Sequence, residues 1–438
     1  MQIVNNKPFI YYDLSWINSF SINSNFRLDL GYLDDNLKNE KITKNVIYTE
    51  NSQYTILRYN KNILNYDLVD TYGLLRSVIL DKNDHIVSFS PPKSVATDFF
   101  IKKYQSFNEP YLVAEEFIEG TMINLFWDET IGLSGDWEIA TRNNVGGNIS
   151  FYQSCYTKDG IKNKTFRQMF LEAMNECQLT FDHLTKGYTY SFVLQHPENR
   201  IVVPFKNPNL YLIAIYYCVD ERKKTYLNKI HENPNIFVYP IDMKSFYENS
   251  PIKDTFVQFP KSYQENSYSA LIKKYASMNT PYDIMGIVIY NQLTKERCKI
   301  RNPVYEQVRQ LKGNHPKLQY LYLSLRHSGK INEYLSFYPE HKKEFSIFRD
   351  DVHLFTKTLY DNYVECFIKK NFDISKYSNQ YQSHMIELHK RFVNELREKK
   401  LRIDYNYVIE YINQLPPPKL MFSINYHLRK RNVEMQIP

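Results

Sequence analysis

Two basic residues in the second half of the chain have a spacing that suits phosphate binding. Lys299 and Arg301 lie two residues apart in a short run of β-forming residues. Successive side chains of a strand point to opposite faces, so this spacing places both cations on one face. An ammonium and a guanidinium side by side bind phosphate oxygens through charge-assisted hydrogen bonds. The pair indicates a phosphate-binding strand, and a solvated basic edge strand is the alternative interpretation.

Four other segments place polar residues beside strand-forming runs, and all five follow one another between residues 73 and 305. Each has polar or glycine positions that interrupt an apolar pattern, as binding loops do. In chain order they are Gly73–Lys93 (GLLRSVILDKNDHIVSFSPPK), Glu115–Ile123 (EEFIEGTMI), Trp137–Asn143 (WEIATRN), Tyr188–Phe205 (YTYSFVLQHPENRIVVPF) and Asp283–Tyr305 (DIMGIVIYNQLTKERCKIRNPVY).

Taken together, the five segments resemble the motifs of the phage-type RNA ligases, which belong to the covalent nucleotidyltransferase superfamily. The first motif of that superfamily is Lys-x-Asp-Gly, whose lysine attacks the α-phosphate of ATP or GTP and forms a phosphoramidate. Aligned on Gly120, this chain has Phe117 at the lysine position and Glu119 at the aspartate position. The most specific match is the string Pro197 to Val202, which follows the family's Pro-x-Asn-Arg-Ile-Val.

Two glutamates of the family are also replaced. The family has one glutamate before the Pro-x-Asn-Arg-Ile-Val string and another in a later Glu-Gly-x-Val motif, where this chain has Val193 and Met285. Phenylalanine cannot attack phosphorus, and neither valine nor methionine can hold a divalent cation. We therefore predict that Phe117, Val193 and Met285 leave no intact catalytic lysine and no metal site.

Most of the polar positions that contact phosphate in the family are retained. An exception is Phe89, which stands where the family has a second arginine of its Ser-Arg-Pro segment. The resemblance implies that a nucleotide or RNA phosphate is bound by Arg76, Lys93, Thr141, Arg142, Asn199, Arg200, Lys299 and Arg301.

Three hypotheses about function follow. The preferred one is an RNA-ligase-like protein that binds single-stranded or nicked RNA ends, or a nucleotide, without forming a lysyl-AMP and without a cofactor. The second is an active ATP-dependent RNA ligase that uses Mg²⁺ and a lysine from elsewhere, such as Lys102 or Lys103. The third is a structural component packaged in a virion and bound to other viral proteins.

A viral setting is implied by the resemblance alone. The chain is similar in kind to the RNA-ligase-like proteins of large nucleocytoplasmic DNA viruses, of the African swine fever virus type, which also carry a helical C-terminal domain. The resemblance implies that the protein works in the host cytoplasm or is packaged in the virion.

The composition is that of a globular protein with a weak preference for polyanions. The 438 residues carry a net charge of +7, with 24% charged and 43% hydrophobic residues. No segment approaches the ~20 apolar residues of a membrane span, and the first ten residues lack the apolar core of a secretory signal. The aromatic content of 16% suits base stacking, although an AT-rich coding sequence also explains it.

Hydrophobic periodicity predicts an α+β fold followed by helices. Short β-forming runs dominate from about residue 40 to 305, and helical spacing takes over after Pro303. We predict antiparallel sheets with flanking helices over 1–305 and an all-α domain over 306–438, and the family resemblance implies that the first of these is a nucleotidyltransferase (ATP-grasp-like ligase) domain. Residues 232–267, rich in Asn, Pro, Ser and Tyr, are expected to be an insertion or surface loop.

Overall fold

A computed structural model describes residues 10–20, 41–150, 163–223 and 234–428. The chain divides into two compact units, the first made of residues up to 150 together with 164–307, and the second containing residues 308–438. The division falls within a helix, Pro303–Lys312. The basic residues Arg429, Lys430 and Arg431 lie outside the described residues.

The first unit contains the strands of the described chain. They are β1 (Tyr12–Asp13), β2 (Ile42–Tyr48), β3 (Gln53–Tyr59), β4 (Val78–Leu80), β5 (Ile86–Ser88), β6 (Leu112–Glu116), β7 (Thr121–Asp128), β8 (Asp136–Ala140), β9 (Tyr188–Gln195), β10 (Asn209–Asp220), β11 (Ile236–Pro240), β12 (Ser262–Tyr263), β13 (Gly286–Asn291) and β14 (Arg297–Arg301).

These strands form three antiparallel sheets. A six-stranded sheet has the order β1-β11-β10-β9-β7-β8, and two four-stranded sheets have the orders β12-β6-β13-β14 and β2-β3-β4-β5. Four α-helices flank them, namely α1 (Thr97–Lys103), α2 (Phe166–Glu176), α3 (Met243–Asn249) and α4 (Tyr268–Tyr275). The predicted α+β class with antiparallel sheets and flanking helices is confirmed.

The sheet that contains β13 and β14 shows how the strand period sorts its side chains. Ile287, Ile289 and Cys298 are buried in an apolar cluster with Phe100 of α1 and Leu271 of α4. Because neighbouring residues alternate between the two faces, the residues between them are turned to the opposite side. That opposite face is free to carry polar side chains.

Helix α2 shows the predicted amphipathic pattern. Phe166, Met169, Phe170 and Met174 are buried in the apolar cluster beneath the six-stranded sheet. Thr165 caps the helix, since its hydroxyl accepts from the backbone N–H of Gln168 and the Gln168 side chain accepts from the N–H of Thr165.

The second unit is helical throughout its described core, as predicted. The residues Val352, Phe355, Leu359 and Tyr363 form a buried stripe on one helix. The helices are α5 (Pro303–Lys312), which spans the division, α6 (Leu318–His327), α7 (Ile331–Phe337), α8 (Lys342–Tyr363), α9 (Asn379–Arg391), α10 (Tyr405–Gln414) and α11 (Pro417–Ile424). Within the described ranges, none of the helices has the length and apolar character that a membrane crossing needs.

The predicted insertion or surface loop over 232–267 is not a surface loop in its described part, 234–267, because β11 pairs with both β1 and β10, and Phe246 and Val257 are buried in the core. The apolar run Ile201 to Phe205 forms a turn whose backbone N–H groups bond to a side chain instead of a neighbouring strand. Short apolar runs do not by themselves distinguish strands from buried turns.

Candidate phosphate-binding cleft

A cleft of about 1900 Å³ lies in the first unit between the six-stranded sheet and the sheet β12-β6-β13-β14. Its apolar wall includes Met122 of β7, Val193 of β9 and Leu212 of β10. Its other wall includes Val288, Tyr290 and the basic residues of β14. The cleft is larger than the ~300–1,000 Å³ typical of small-molecule sites, so it has room for a nucleotide.

The register of β6, β13 and β14 fixes which side chains are neighbours on the cleft wall. Glu115 pairs with Val288, and Val288 pairs with Lys299. One row along, Tyr290 pairs with Arg297, and at the other end Gly286 pairs with Arg301. The three cations of β14 therefore stand in one line, two residues apart.

Among the described residues, Arg301 is the one cation of the set Arg76, Arg297, Lys299 and Arg301 that forms a salt bridge. Arg301 Nη1 lies 2.7 Å from Glu306 Oε1. In the part of the chain that the structure describes, no salt bridge involves Arg76, Arg297 or Lys299, although all three line the cleft. Uncompensated cations in a partly buried cleft are costly unless an anion binds there.

The charges are close enough to change one another's protonation. Burial and the neighbouring charges of Arg297, Arg76, Arg301 and Lys93 lower the pKa of Lys299 to about 6. Burial and the charges of Arg297 and Arg142 lower the pKa of Arg76 to about 10. At neutral pH the guanidinium groups stay charged, whereas a pKa of about 6 leaves the amine of Lys299 largely neutral until an anion binds.

Phe117 lies directly beside the basic row. Its backbone N–H donates to the Gly286 carbonyl at 3.1 Å, which extends the pairing of β6 with β13. The Nζ of Lys299 is 4.5 Å from the centre of the Phe117 ring, and the guanidinium carbon of Arg301 is 5.8 Å from it. The aromatic ring at the family's lysine position thus faces cations.

Two positions of the matched motifs require glycine, because other atoms lie too close to the backbone there to leave room for a side chain. A Cβ on Gly120 would lie 2.4 Å from the Leu194 carbonyl oxygen and 2.6 Å from a methyl group of Val193. A Cβ on Gly286 would lie 2.2 Å from the Ile300 carbonyl oxygen. Both residues have positive φ, +148° and +133°, which favours glycine.

The residues at the family's metal-binding positions do not fit a divalent cation. Val193 and Met285 both line the cleft, and neither offers an oxygen ligand of the kind that Mg²⁺ requires. Among the residues that the structure describes, no group of three or more His, Cys, Asp or Glu side chains is arranged to hold a metal ion.

Five acidic residues also line the cleft, namely Glu109, Glu115, Glu116, Asp242 and Glu265. Glu115 Oε1 accepts a hydrogen bond from the Tyr290 hydroxyl at 2.6 Å, and burial raises the pKa of Glu115. Glu115 and Lys299 stand in one row on either side of Val288, so their strands are about 10 Å apart, and among the described residues they form no salt bridge.

Glu119, at the family's aspartate position, has a structural contact. Its Oε1 accepts from the backbone N–H groups of Val202 and Val203, at 2.9 and 3.0 Å. It therefore ties the first motif to the turn that follows β9. Glu119 is 4% exposed, and within the described residues it is not part of the cleft lining.

Asn199 and Arg200 also form hydrogen bonds that hold this turn in place. Asn199 Nδ2 donates to Thr121 Oγ1 at 2.8 Å, and Arg200 Nε donates to the Val202 carbonyl at 2.8 Å. In the described part of the chain neither residue lines the cleft. The most specific sequence match is thus explained by a turn joined to Glu119 and Thr121.

Three other predicted phosphate-binding residues do not line the cleft in the described part of the chain, namely Thr141, Arg142 and Lys93. Thr141 closes a turn, because its backbone N–H donates to the Asn144 carbonyl at 2.8 Å. The guanidinium of Arg142 lies 5.6 Å from the Tyr59 ring centre, and the ammonium of Lys93 donates to the Ser94 carbonyl. The charges of Arg142 and Lys93 both influence the protonation of Arg76 or Lys299.

The two lysines considered as replacement nucleophiles are placed elsewhere. Lys102 and Lys103 lie in the last turn of α1, and Lys103 Nζ is 2.7 Å from Glu296 Oε2. Neither lines the cleft as the structure describes it. The lysine beside Phe117 is Lys299.

Sequence reasoning missed three residues of the cleft. Arg297 lies on the same face of β14 as Lys299, and Tyr12 and Tyr216 line the cleft beside it. The two-residue period that singled out Lys299 and Arg301 extends to Arg297 and could have found it. No local signal indicated Tyr12, because its strand pairs with β11, more than 200 residues further along the chain.

Phe89, at the position of the missing arginine, is fully buried. Its ring stacks on Tyr12 at 5.5 Å and meets Tyr216 edge-on at 4.9 Å. It therefore supports the two tyrosines of the cleft from behind.

Comparison with known proteins gives one sequence relative and several distant structures. No family model matches the chain. An RNA ligase of Rhodothermus phage RM378 is 24% identical over 216 residues, which is 47% of this chain and 47% of that protein. The chain thus matches about half the length of this curated relative.

Solved structures with some similarity are also ligases. The Naegleria gruberi RNA ligase, in a mutant form with ATP and manganese, gives a TM-score of 0.33 at 10% identity and covers 51% of this chain and 58% of that chain. An archaeal ATP-dependent RNA ligase gives 0.36 at 11% identity and covers 73% and 74%. Overall similarity at these scores does not establish a shared fold. Over about half of its length, the chain is RNA-ligase-like in sequence.

Proposed function

We propose that this chain is an RNA-ligase-like protein whose cleft binds the phosphates of an RNA end or a nucleotide without forming a covalent intermediate. The observation that carries the proposal is the row Arg297, Lys299 and Arg301 beside Phe117. These cations bind phosphate oxygens well, while the phenyl ring offers no nucleophile. Binding capacity is thus retained at a place where the family's bond-forming amine is replaced.

A labelling experiment tests the non-covalent part of the proposal. The full chain is incubated with α-labelled ATP or GTP and Mg²⁺, then denatured and separated on a gel, with an active ATP-dependent RNA ligase as the positive control. We expect no labelled protein band. An acid-labile band on the chain itself would contradict the proposal.

An RNA-binding experiment tests the phosphate-binding part. We expect a 5′-phosphorylated single-stranded RNA to bind in a salt-sensitive way, because each neutralised phosphate releases counterions. Substituting Lys299→Ala and Arg301→Ala together should weaken binding about tenfold or more and reduce the salt dependence. The control is Arg349→Ala, an exposed arginine of the helical unit that pairs with Asp350. Equal affinities for both variants would contradict the proposal.

A second candidate function is nucleotidyl transfer through Lys299. The specific observation in its favour is that Lys299 lies beside Phe117 with a pKa of about 6, so its amine has a free lone pair at neutral pH. The amine would attack the α-phosphorus of ATP, a P–N bond would form, pyrophosphate would leave, and the amine proton would pass to solvent.

The charge balance favours the non-covalent function. A bound polyphosphate offsets the neighbouring guanidinium charges, which raises the pKa of Lys299 and protonates the amine before attack. If a labelled band nevertheless forms, Lys299→Met should abolish it.

A further inference from the structure

We infer that the cleft binds its phosphate ligand without a divalent metal ion, and that Arg297 is a phosphate-binding residue that takes over part of the metal's electrostatic role. This inference rests on the proposed function, because it concerns how the same cleft binds phosphate. It adds a residue that the motif comparison does not indicate and a property in which the cleft differs from metal-dependent ligases.

The first argument is the balance of charge on the cleft wall. A metal-dependent phosphate site needs carboxylates to hold the cation, which then neutralises the phosphates. Here Val193 and Met285 occupy the two acidic positions, whereas Arg76 and Arg297 present guanidinium charges and Lys299 presents an amine that becomes charged when an anion binds. A Mg²⁺ ion beside these residues would be repelled by them and would have no carboxylate ligand among them.

The second argument is the way in which Arg297 is held. Its Nη2 donates to the Pro92 carbonyl at 2.7 Å, which fixes the side chain against the segment after β5. Its Nε is buried and has no hydrogen-bond partner among the residues that the structure describes. A buried N–H donor without a partner is costly, so an acceptor oxygen of a ligand would satisfy it.

The third argument is the neighbourhood of Lys299, which couples binding to a proton. The groups that face it are Arg297 and Arg301 on its own strand, Arg76 before β4, Lys93 after β5 and the ring of Phe117, and Glu115 stands in the same row beyond Val288. An anion in the cleft compensates the positive charges and favours the protonated amine. Phosphate binding near pH 7.5 should therefore be accompanied by net proton uptake.

Isothermal titration calorimetry with ATP tests the inference on the full chain. Titrations in EDTA and in Mg²⁺ are compared at pH 7.5 in two buffers of different ionisation enthalpy, and a 5′-phosphorylated RNA oligonucleotide is titrated in parallel. For whichever probe binds, we expect the affinity in EDTA to equal or exceed that in Mg²⁺, because Mg²⁺ competes with the protein for the phosphates. We also expect net proton uptake.

Two variants identify the residues responsible. Arg297→Gln should lower the affinity in EDTA about ten- to hundredfold, the usual effect of losing a charge-assisted hydrogen bond. Lys299→Arg should keep most of the affinity and lose the proton uptake, because arginine is already charged. Arg349→Gln in the helical unit is the matched control and should change neither quantity, and thermal melts check that every variant is folded.

The outcomes separate this inference from the proposed function. Binding that requires Mg²⁺, or an Arg297→Gln variant that binds as tightly as the wild type, overturns the inference but leaves phosphate binding in place. A failure of both probes to bind in either buffer overturns the inference and the proposed function together.

Discussion

The cleft and the core of the helical unit both contain polar side chains that are shielded from solvent. The two regions differ in the groups that surround these side chains. In the helical unit, His384 is buried between two hydroxyls, with Nδ1 2.8 Å from the Tyr411 hydroxyl and Nε2 2.8 Å from Ser423 Oγ. Burial, assisted by the charge of Lys419, lowers the pKa of His384 to about 4, so the ring is neutral at physiological pH. In the cleft, Arg297 and Lys299 face other cations.

The difference separates a structural use of polar groups from a binding use. His384 has a hydrogen-bond partner at each ring nitrogen, so its network stabilises the fold and leaves nothing for a ligand. The like charges of the cleft reduce the stability of the empty protein and become favourable when an anion arrives. Groups with perturbed pKa in a cleft are typical of functional sites, although structural networks such as that of His384 perturb pKa values as well.

The largest expected effect comes from breaking the strand pair that carries the cations. Gly286→Ala places a Cβ 2.2 Å from the Ile300 carbonyl oxygen at a φ of +133°, so β13 and β14 must separate. We expect a loss of about 3 kcal/mol in the free energy of unfolding, measured by urea denaturation. The control Gly132→Ala has a positive φ but no heavy atom within 4 Å, and should cost only about 1 kcal/mol. Equal costs would mean that the close approach is not essential.

The second-largest change in stability should come from removing the hydrogen bonds of His384 in the helical unit. His384→Leu leaves the hydroxyls of Tyr411 and Ser423 without their ring partner, and we expect it to cost about 2 kcal/mol. His353→Leu, at an exposed position of α8, is the control and should change stability by less than about 0.5 kcal/mol.

The same variant has a definite pH dependence. The folded protein keeps His384 neutral down to about pH 4, whereas the unfolded chain takes up a proton as the pH falls through the ordinary histidine value. The stability that the neutral His384 contributes to the wild type is therefore lost as the pH falls from about 6.5 to about 4. The difference between wild type and His384→Leu should narrow over this range, and a widening would contradict the account of the network.

Removing the amine of Lys299 from the cleft should have a smaller effect, and it should raise the free energy of unfolding. The folded state lowers the pKa of Lys299 to about 6, so the unfolded chain binds this proton more tightly. As the pH falls from the ordinary lysine value toward 6, the wild type is progressively destabilised. Lys299→Met should be more stable than the wild type by about 1 kcal/mol at pH 7, and the difference should shrink toward pH 10.

A matched substitution checks that this gain is specific to the cleft. Lys61→Met replaces an exposed lysine of a turn and should leave the unfolding free energy nearly unchanged. A Lys299→Met variant that is less stable than the wild type at pH 7 would show that the buried amine does not destabilise the folded protein.

The smallest expected effect concerns the ring beside the cations. Phe117→Leu keeps an apolar side chain but removes the aromatic face near Lys299 and Arg301. Anion binding favours the protonated form of Lys299, and the ring stabilises that charged form by about 0.5–1 kcal/mol, so the affinity for ATP should fall about two- to fivefold. Phe117→Tyr preserves the face and should bind nearly as the wild type does. A Leu variant with wild-type affinity would show that the ring only fills space.

The sequence predicted those parts of the cleft that depend on local pattern. The antiparallel class, the strands β13 and β14 and the common face of Lys299 and Arg301 follow from hydrophobic alternation and the two-residue strand period. Phe117, Val193 and Met285, which the motif comparison singled out separately, all line one cleft.

The remaining features depend on contacts that are distant in the sequence. Glu119 was aligned with a catalytic position, but its carboxylate bonds to the backbone of residues 202 and 203. Residues 234–240 lie in a stretch of loop-like composition, yet β11 is a central part of its sheet because β1 and β10 pair on either side. Composition cannot reveal such long-range pairing, since tertiary contacts override local propensity.

A crystal structure of the full chain grown with ATP tests the central claim most directly. We predict phosphate oxygens within hydrogen-bond distance of Arg297 and Lys299, beside the Phe117 ring, with no metal ion between them and no bond from Lys299 Nζ to phosphorus. A phosphoramidate on Lys299, or phosphates bound away from β14, would contradict the account.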